Sequence, residues 1–542
     1  MGITGLWQAV EATGVSKSTT LTRESEKCLT EKGRPLRVAV DASIVLWKLI
    51  CATKNAATHG GMNHPSRTFM TRVLNDMQEG VQALYVFDGP GRPNMKRNQR
   101  RPNPQPAPAY VPNGDPGQRS PKDIEIEYSW GHVTESAKKI LDVLNVPRWD
   151  APGEAEAECV ALEKAGIVDA VMTTDGDALA FGGRHILREG RDKQGRTLTS
   201  VRLEDLEAAG LKGSSCSLLA LLSGGDYHDG LRNCGPKIAL RIAKESAAAV
   251  TLQNMVRSKA PPKAKQGMLD GWRRSQRAAF VEQVRAISNA VVVALPADFP
   301  NAKLLAIWTL YLLPKVSELD VLRDTLPDVW QPRSAPALEL REFTARYFGW
   351  QGQERAKQFL SRTTPGLLAQ QLLNAGQQKI DKSILIVKVK KKQERGSKEG
   401  EKVQIVKVHY QPLAIAPIDY LAEPRLPGFE WKPGADGKHD PYTPYVEEYP
   451  TMLLRYGAPS CLADLPQSAS KTKRPAEQLA TPAAKKMKMS ASNTAAFSNQ
   501  KAPRSELIKQ RCEAQSNNIT KVGQPLVSDT PLPVEVLDLT QM

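Results

Sequence analysis

Five separated stretches of the chain carry carboxylates of a type and spacing that could do chemistry. Asp41, Asp88 and Asp175 each follow a short run rich in Val, Leu and Ala (Leu36–Val40, Ala83–Phe87, Ala170–Thr174), and Asp177 stands two residues beyond Asp175. The run Gly153-Glu154-Ala155-Glu156-Ala157-Glu158 adds three glutamates, and Ser223-Gly224-Gly225-Asp226-Tyr227 adds another aspartate. Taken singly, each has a plain structural role. An Asp after a strand caps a helix or forms a turn, and a Glu-Ala repeat suits a solvated helix face. Taken together, such groups repel one another unless a cation sits between them. All-oxygen ligands select Mg²⁺ or Mn²⁺. Two such ions, about 4 Å apart, can stabilise the attacking and leaving oxygens of an in-line phosphoryl displacement. A bound water of lowered pKa then replaces a nucleophilic serine or cysteine.

The elements that must position these groups follow from the pattern. Short apolar strands separated by helical stretches indicate an α/β fold with a mainly parallel sheet, buried on both faces. Ligand sites in such sheets lie at the carboxyl ends of the strands, where all three strand-terminal aspartates fall. Helical spacing puts Glu154 and Glu158 on one face and Glu156 elsewhere. With Pro152-Gly153 as the helix start, Glu154 lies in the loosely constrained first turn, and both Glu154 and Glu156 can reach the site. Between Pro102 and Pro121 seven prolines in twenty residues exclude regular helix or sheet, which reads as a flexible excursion from the same edge. From about Ala302 to Leu373 the apolar spacing is helical. Two strand-like runs, Ile384–Val389 and Val403–Tyr410, are followed by Phe429, Trp431, Tyr442, Tyr445 and Tyr449, and together read as a small separate β-rich module. Beyond Cys461 the chain is polar and poor in aromatics, so disorder is expected there.

Composition agrees with a polyanionic partner. The 542 residues hold 74 Lys and Arg against 58 Asp and Glu, a formal charge of +16, which favours nucleic acid. A hydrophobic fraction of 41% is ample for a core. The longest apolar run, Leu304–Leu313, is broken by Thr309 and falls short of the ~20 residues of a membrane span. The N-terminus has no basic start followed by an apolar stretch, so neither export nor anchoring is expected. Seven cysteines form no C-x-x-C pair, and no H-E-x-x-H occurs, which removes the usual zinc spacings and points to a reducing compartment.

In order along the chain stand Met1-Gly2-Ile3-Thr4-Gly5-Leu6-Trp7, Val40-Asp41-Ala42-Ser43, Val86-Phe87-Asp88-Gly89, Ala151-Pro152-Gly153-Glu154-Ala155-Glu156-Ala157, Thr174-Asp175-Gly176-Asp177 and Gly225-Asp226-Tyr227. This series resembles the flap endonuclease (XPG) superfamily of structure-specific 5′ nucleases over roughly residues 1–260. The resemblance implies a PIN-like nuclease core and a site for two Mg²⁺ ions, with Mn²⁺ able to substitute. The ions would be held by Asp41, Asp88, Glu154, Glu156, Asp175, Asp177 and Asp226. It leaves Glu158 outside the metal set, as helix surface. Gly2 falls among the DNA-contacting positions it implies. Gly230–Ala239 is similar to the family's helix–hairpin–helix (about 222–245), where backbone amides, with a monovalent cation such as K⁺, grip duplex phosphates. Cys234, Gly235 and Lys237 lie there; an ordinary αα-corner is the alternative. Asn233 replaces a family glycine, and Asn tolerates the left-handed region. Trp47 stands where the family has a base-stacking aromatic, although a lone Trp on an apolar helix otherwise belongs to the core. Lys96, Arg97, Arg100 and Arg101 resemble gateway cations that stabilise charge on the phosphate. Lys96 is the catalytic candidate, but its interval from Asp88 is one residue longer than in the family, leaving open which cation acts.

The proline-rich stretch is unsuited to the helical cap through which flap endonucleases thread a free 5′ end, and no Q-x-x-[IL]-x-x-[FY]-[FY] clamp motif stands near the C-terminus. The β-rich module is similar to the chromodomain of GEN/Yen-type Holliday-junction resolvases, with a generic β-hairpin subdomain as the alternative. That resemblance implies a monomer that dimerises on a four-way junction and makes two symmetric nicks, in homologous recombination and DNA repair, while also cutting 5′ flaps and forks. Lys388, Lys390, Lys391, Lys392 and Lys407 would extend the DNA footprint. The nearby aromatics would form either a methyl-lysine cage or core. A flap or bubble nuclease of replication or excision repair and a catalytically silent junction-binding scaffold are the competing readings.

The expected divisions are an N-terminal nuclease segment (1–100), a proline-rich insertion (101–130), an internal nuclease segment (131–300), a helical extension (301–375), a chromodomain-like module (376–460) and a disordered regulatory tail (461–542). In the tail, Lys473 and Arg474 followed by Lys485, Lys486 and Lys488 resemble a bipartite import signal, which implies the nucleus and import receptors. Val534, Val536, Leu537 and Leu539, flanked by acids, resemble a SUMO-interacting strand.

Overall fold

The computed structural model describes residues 2–57, 64–93, 129–192, 195–245, 247–326, 328–395, 402–431 and 440–463. The proline-rich stretch lies outside these residues, as do Lys96, Arg97, Arg100, Arg101, the import signal, the SUMO motif and the side chains of Lys391 and Lys392. The described residues belong to one compact unit, Met1–Pro466.

A seven-stranded sheet is built from β1 (Lys17–Thr19), β2 (Arg37–Asp41), β3 (Gln82–Phe87), β4 (Arg148–Asp150), β5 (Ala170–Met172), β6 (His185–Asp192) and β7 (Gly195–Arg202) in the order β1-β7-β6-β5-β2-β3-β4. The five strands β4, β3, β2, β5 and β6 are parallel, and β7 returns antiparallel between β6 and β1. The expected mainly parallel α/β core is present. Its central strands β2, β3 and β5 are largely apolar because alternate residues enter two different cores. Ala39, Leu84, Val86 and Val171 face one layer, with the helices Leu6–Ala12, Ala155–Lys164, Gly213–Ser223 and Ala302–Leu312. Val38, Val40, Tyr85, Phe87 and Met172 face the other, with the helices Ala42–Ala57, Pro65–Gln78, Trp130–Val143 and Gln353–Gln378.

The amino ends of β2 and β5 are latched by charge. Asp169 accepts two hydrogen bonds from Arg34 (2.6 and 2.9 Å), one from Lys32 (2.6 Å) and one from the Arg37 amide (2.9 Å). Burial opposes ionisation of this carboxyl, yet those donors hold it well below the usual aspartate range.

The second sheet has three antiparallel strands, β8 (Ile386–Arg395), β9 (Val403–Tyr410) and β10 (Tyr445–Pro450), in the order β10-β9-β8. It does not stand apart. Val406, Val408, Tyr410 and Tyr449 share one apolar cluster with Phe69, Leu74, Leu367 and Leu368, and the Tyr449 hydroxyl donates to the Pro365 carbonyl at 2.9 Å. The helix carrying Pro365 runs across the expected boundary at 375. The aromatics of this region serve packing: Tyr410, Tyr445 and Tyr449 are buried, Arg355 lies over Phe429 and Arg362 over Trp431.

Candidate active site

Three neighbouring parallel strands carry their acids to one edge. Asp41 is the last residue of β2 and pairs in register with Val86 of β3, so Asp88 lies just beyond it. Val40 pairs with Met172, the last residue of β5, and the following turn carries Asp175. Hydrogen bonds then tie the groups together. Thr173 Oγ1 donates to Asp41 Oδ2 (3.2 Å) and accepts from the Asp175 amide (3.1 Å), and Asp175 Oδ1 accepts from the Asp177 amide (3.1 Å). The Ala155 amide, between Glu154 and Glu156, donates to Asp88 Oδ1 at 3.0 Å, while the Asp88 amide donates to Ser43 Oγ at 3.1 Å. The Tyr227 hydroxyl donates to Glu154 Oε2, bringing the Asp226 turn to the helix Ala155–Lys164.

Gly2 closes the group from above. Its amide donates to Asp226 Oδ1 at 3.2 Å, and a Cβ built on it would lie 2.0 Å from Asp175 Oδ1 and 2.8 Å from Asp177 Oδ1. With φ at 89°, the position also suits glycine conformationally. The preceding motif is anchored nearby: Trp7 Nε1 donates to the Thr174 carbonyl (3.0 Å), and the Thr4 amide to the Gly224 carbonyl (2.9 Å).

Hydrogen bonds thus join Asp41, Asp175 and Asp177 through Thr173, and tie Asp88, Glu154 and Asp226 to the helix start, Tyr227 and Gly2 beside them, while Glu156 follows Ala155 on the same helix. Asp41, Glu154, Glu156, Asp175 and Asp177 are no more than 4% exposed, and Asp88 and Asp226 are half-buried. Cys159, enclosed in the same helix, registers their charge: burial first, then Asp41, Glu156, Glu158 and Asp88, push its thiol far above the usual range. The set is all oxygen, buried and backed by a glycine that leaves no room for a side chain, which fits magnesium-like cations. Among the described residues no group of three or more His, Cys, Asp or Glu side chains is already arranged to close on a metal ion. The fold gathers the donors without completing a coordination shell.

Glu154 proves to be the extended residue capping its helix rather than a member of the first turn, so its side chain and that of Glu156 are not bound to helical spacing. Glu158 is not helix surface. It is fully buried, accepting from Trp149 Nε1 at 2.8 Å and from the Ser317 amide at 2.9 Å, because the segment after Ala302–Leu312 packs over it. Cys234 also departs from expectation. Its side chain is buried, its thiol pushed up to about 11 by burial, and its amide is spent on the Leu231 carbonyl at 3.1 Å, so it shapes the turn rather than facing a ligand. Asn233 does adopt the left-handed conformation (φ 64°), between the helices Gly213–Ser223 and Pro236–Glu245, with Gly235 and Lys237 exposed. Trp47 is half-buried on the helix Ala42–Ala57. Lys388 pairs in register with His409, and Lys390 with Lys407; all three lysines are exposed.

Four contributors escaped the sequence. Thr173 and Tyr227 orient acids, and Tyr311 packs edge-on against Tyr227 with ring centroids 5.0 Å apart. Lys48 Nζ donates to Thr174 Oγ1 at 2.6 Å beside the strand ends; burial lowers its pKa. Only Tyr227 carried a signal, its place directly after Asp226.

Two protein-family domains match this chain: the XPG N-terminal domain over residues 1–103 and the XPG I-region over residues 145–226. Flap endonuclease 1 of Drosophila grimshawi is 33% identical over 223 residues, covering 38% of this chain and 57% of that protein. The Drosophila mojavensis protein of the same name is 31% identical over the same shares. The chain thus spans little more than half the length of these curated relatives. The solved structure of the eukaryotic junction-resolving enzyme GEN-1 binding with cesium has a TM-score of 0.65 at 26% identity, covering 85% of this chain and 98% of that one. The Holliday junction-resolving enzyme GEN1 in complex with product DNA and a Mg²⁺ ion has a TM-score of 0.62 at 26% identity, covering 84% and 97%.

Proposed function

Since residues 1–103 and 145–226 match the XPG N-terminal domain and I-region, we propose that this chain is a structure-selective DNA endonuclease of the XPG superfamily. It resolves Holliday junctions by paired symmetric nicks and also cuts 5′ flaps and replication forks. The observation that carries the reading is that parallel strands bring Asp41, Asp88 and Asp175 to one sheet edge, with Glu154 and Asp226 tied beside them by Tyr227 and Gly2. Asp41, Asp88, Glu154, Glu156, Asp175, Asp177 and Asp226 would hold two Mg²⁺ ions, or Mn²⁺ in their place. Such ions, when bound, lower the pKa of a water and stabilise charge on the scissile phosphate.

The chain's own residues do the positioning. Tyr227 and Thr173 fix the carboxylate orientations of Glu154 and Asp41. Gly2 leaves the site open where any side chain would fill it. The Asn233 turn presents the start of the helix Pro236–Glu245 to duplex phosphates, with K⁺ as a possible companion. Lys388, Lys390 and Lys407 offer further phosphate contacts from β8 and β9. Trp47 is the base-stacking candidate, and Lys96, with Arg97, Arg100 and Arg101, the gateway cation.

Junction resolution is favoured over flap cleavage by extent. The likeness to the junction-resolving enzyme continues through the helical extension and second sheet, over 85% of the chain, whereas the flap endonuclease match covers 38%. Flap cleavage, favoured by the higher identity of that match, is the second reading. Dimerisation on the junction, nuclear import and SUMO binding through the tail belong to the same proposal. The deciding assay offers purified protein a four-way junction, a 5′ flap and a nicked duplex with Mg²⁺, with free 5′ ends blocked by streptavidin in a parallel series. Junction nicking that survives the block supports the proposal; cleavage confined to unblocked flaps refutes it in favour of the second reading.

A further inference from the structure

The loops that carry Asp88 and Glu154 are joined back to back. The Gly89 amide donates to the Gly153 carbonyl at 2.8 Å, and the Gly91 amide to the Pro152 carbonyl at 3.0 Å. A third segment, from outside both matched domains, lies directly on this junction. A Cβ built on Gly153 would stand 2.4 Å from the Lys315 carbonyl oxygen, and one built on Gly91 would stand 2.6 Å from Lys315 Nζ. The Lys315 backbone therefore rests on the glycine before Glu154, and its side chain crosses the glycine three places after Asp88. The backbone approach at Gly153 requires that no side chain be present there; at Gly91 the fixed obstacle to one is the Pro152 carbonyl, 2.5 Å from a Cβ.

Lys315 is held there from both directions. On its N-terminal side the helix Ala302–Leu312 is fixed by Trp308, whose Nε1 donates to Ser217 Oγ at 3.1 Å, and by Tyr311 against Tyr227. On its C-terminal side Val316 packs on the core, and the Ser317 amide donates to buried Glu158 at 2.9 Å. Glu158, which the sequence leaves on the surface, thus fastens this segment to the helix that carries Glu156. Lys315 itself is exposed, and among the described residues it joins no ion pair. A flexible ammonium beside carboxylate-bearing loops, backed by a rigid support, suits a polyanionic strand entering that edge.

We propose that Lys315 is a DNA-binding residue, contacting a phosphate of the strand next to the acidic edge, with Glu158 as its positioning residue. This rests on the endonuclease reading for the identity of the ligand. The test uses the full chain as wild type, Lys315→Ala and Lys315→Arg. Binding to a four-way junction and to a 5′-flap oligonucleotide is followed by fluorescence anisotropy in EDTA across a salt series. Lys315→Ala should weaken both affinities roughly fivefold and reduce the slope of log K against log salt by about 0.9, and Lys315→Arg should restore both. Wild-type affinity and slope in Lys315→Ala, or no recovery in Lys315→Arg, would overturn the proposal. Since this readout needs no turnover, a wild-type protein that binds junctions and never cuts them would sink the endonuclease reading while leaving Lys315 decided.

Discussion

Asp41, Asp88, Glu154 and Asp226 each meet a partner far away in sequence. Asp41→Asn or Glu154→Gln should abolish nicking, by at least about 10²-fold, while junction binding in EDTA stays near wild type. Tyr227→Phe is subtler. The lost hydroxyl leaves Glu154 without its orienting donor, and cleavage should fall about 10- to 100-fold at limiting Mg²⁺, recovering in part at high Mg²⁺. A single-turnover Mg²⁺ titration reads the difference. The seven acids were legible because they stand in strand-end and helix-start motifs whose type and order survive in one dimension. Thr173 was not, and Tyr227 was legible only as the neighbour of Asp226, because a hydrogen bond spanning 132 or 73 residues leaves no periodic trace. Glu158 misled for a related reason: a Glu-Ala repeat looks solvated until a distant segment covers it.

At the scale of elements, the proposed grip on duplex phosphates makes the backbone conformation at Asn233 testable. The left-handed φ of 64° is tolerated by Asn, free for Gly and costly for a β-branched residue, by about 1–2 kcal/mol. Asn233→Gly should bind junctions like wild type, and Asn233→Val should bind them several-fold more weakly with no change in salt slope, as anisotropy titrations would show. The parallel strands β2, β3 and β5 were readable because burial on both faces leaves continuous apolar runs. The edge strands β1 and β4 were not, being three residues long, nor was β7, which lies just inside β1 and whose Arg and Thr residues dilute its signal. β10 was hidden by Glu447 and Glu448 in its middle, although Tyr445 and Tyr449 on either side of them are buried.

At the scale of the whole molecule, the Asp169 latch makes stability sensitive to acid. Its folded pKa lies below the unfolded one, so its stabilisation is complete above about pH 4 and is lost as pH falls toward the folded value. Asp169→Asn should lower stability by about 3 kcal/mol near pH 7, and the gap from wild type should narrow below pH 4. Urea unfolding at several pH values measures it. The sequence marked the second sheet as a separate module because composition reports where a hydrophobic stretch begins, not which neighbour covers it. The apolar side chains of β9 and β10 are not a private core; they cover the helices Pro65–Gln78 and Gln353–Gln378.

That shared interior has a genetic corollary. A premature stop codon just before Ile386 would spare every acid of the cleavage site, yet it would strip Val406, Tyr410, Tyr449 and Leu453 from above Phe69, Leu74 and Leu368. The shortened product would bare a hydrophobic surface to the proteolytic machinery. Such an allele should behave as a null, although all seven acids remain in its product.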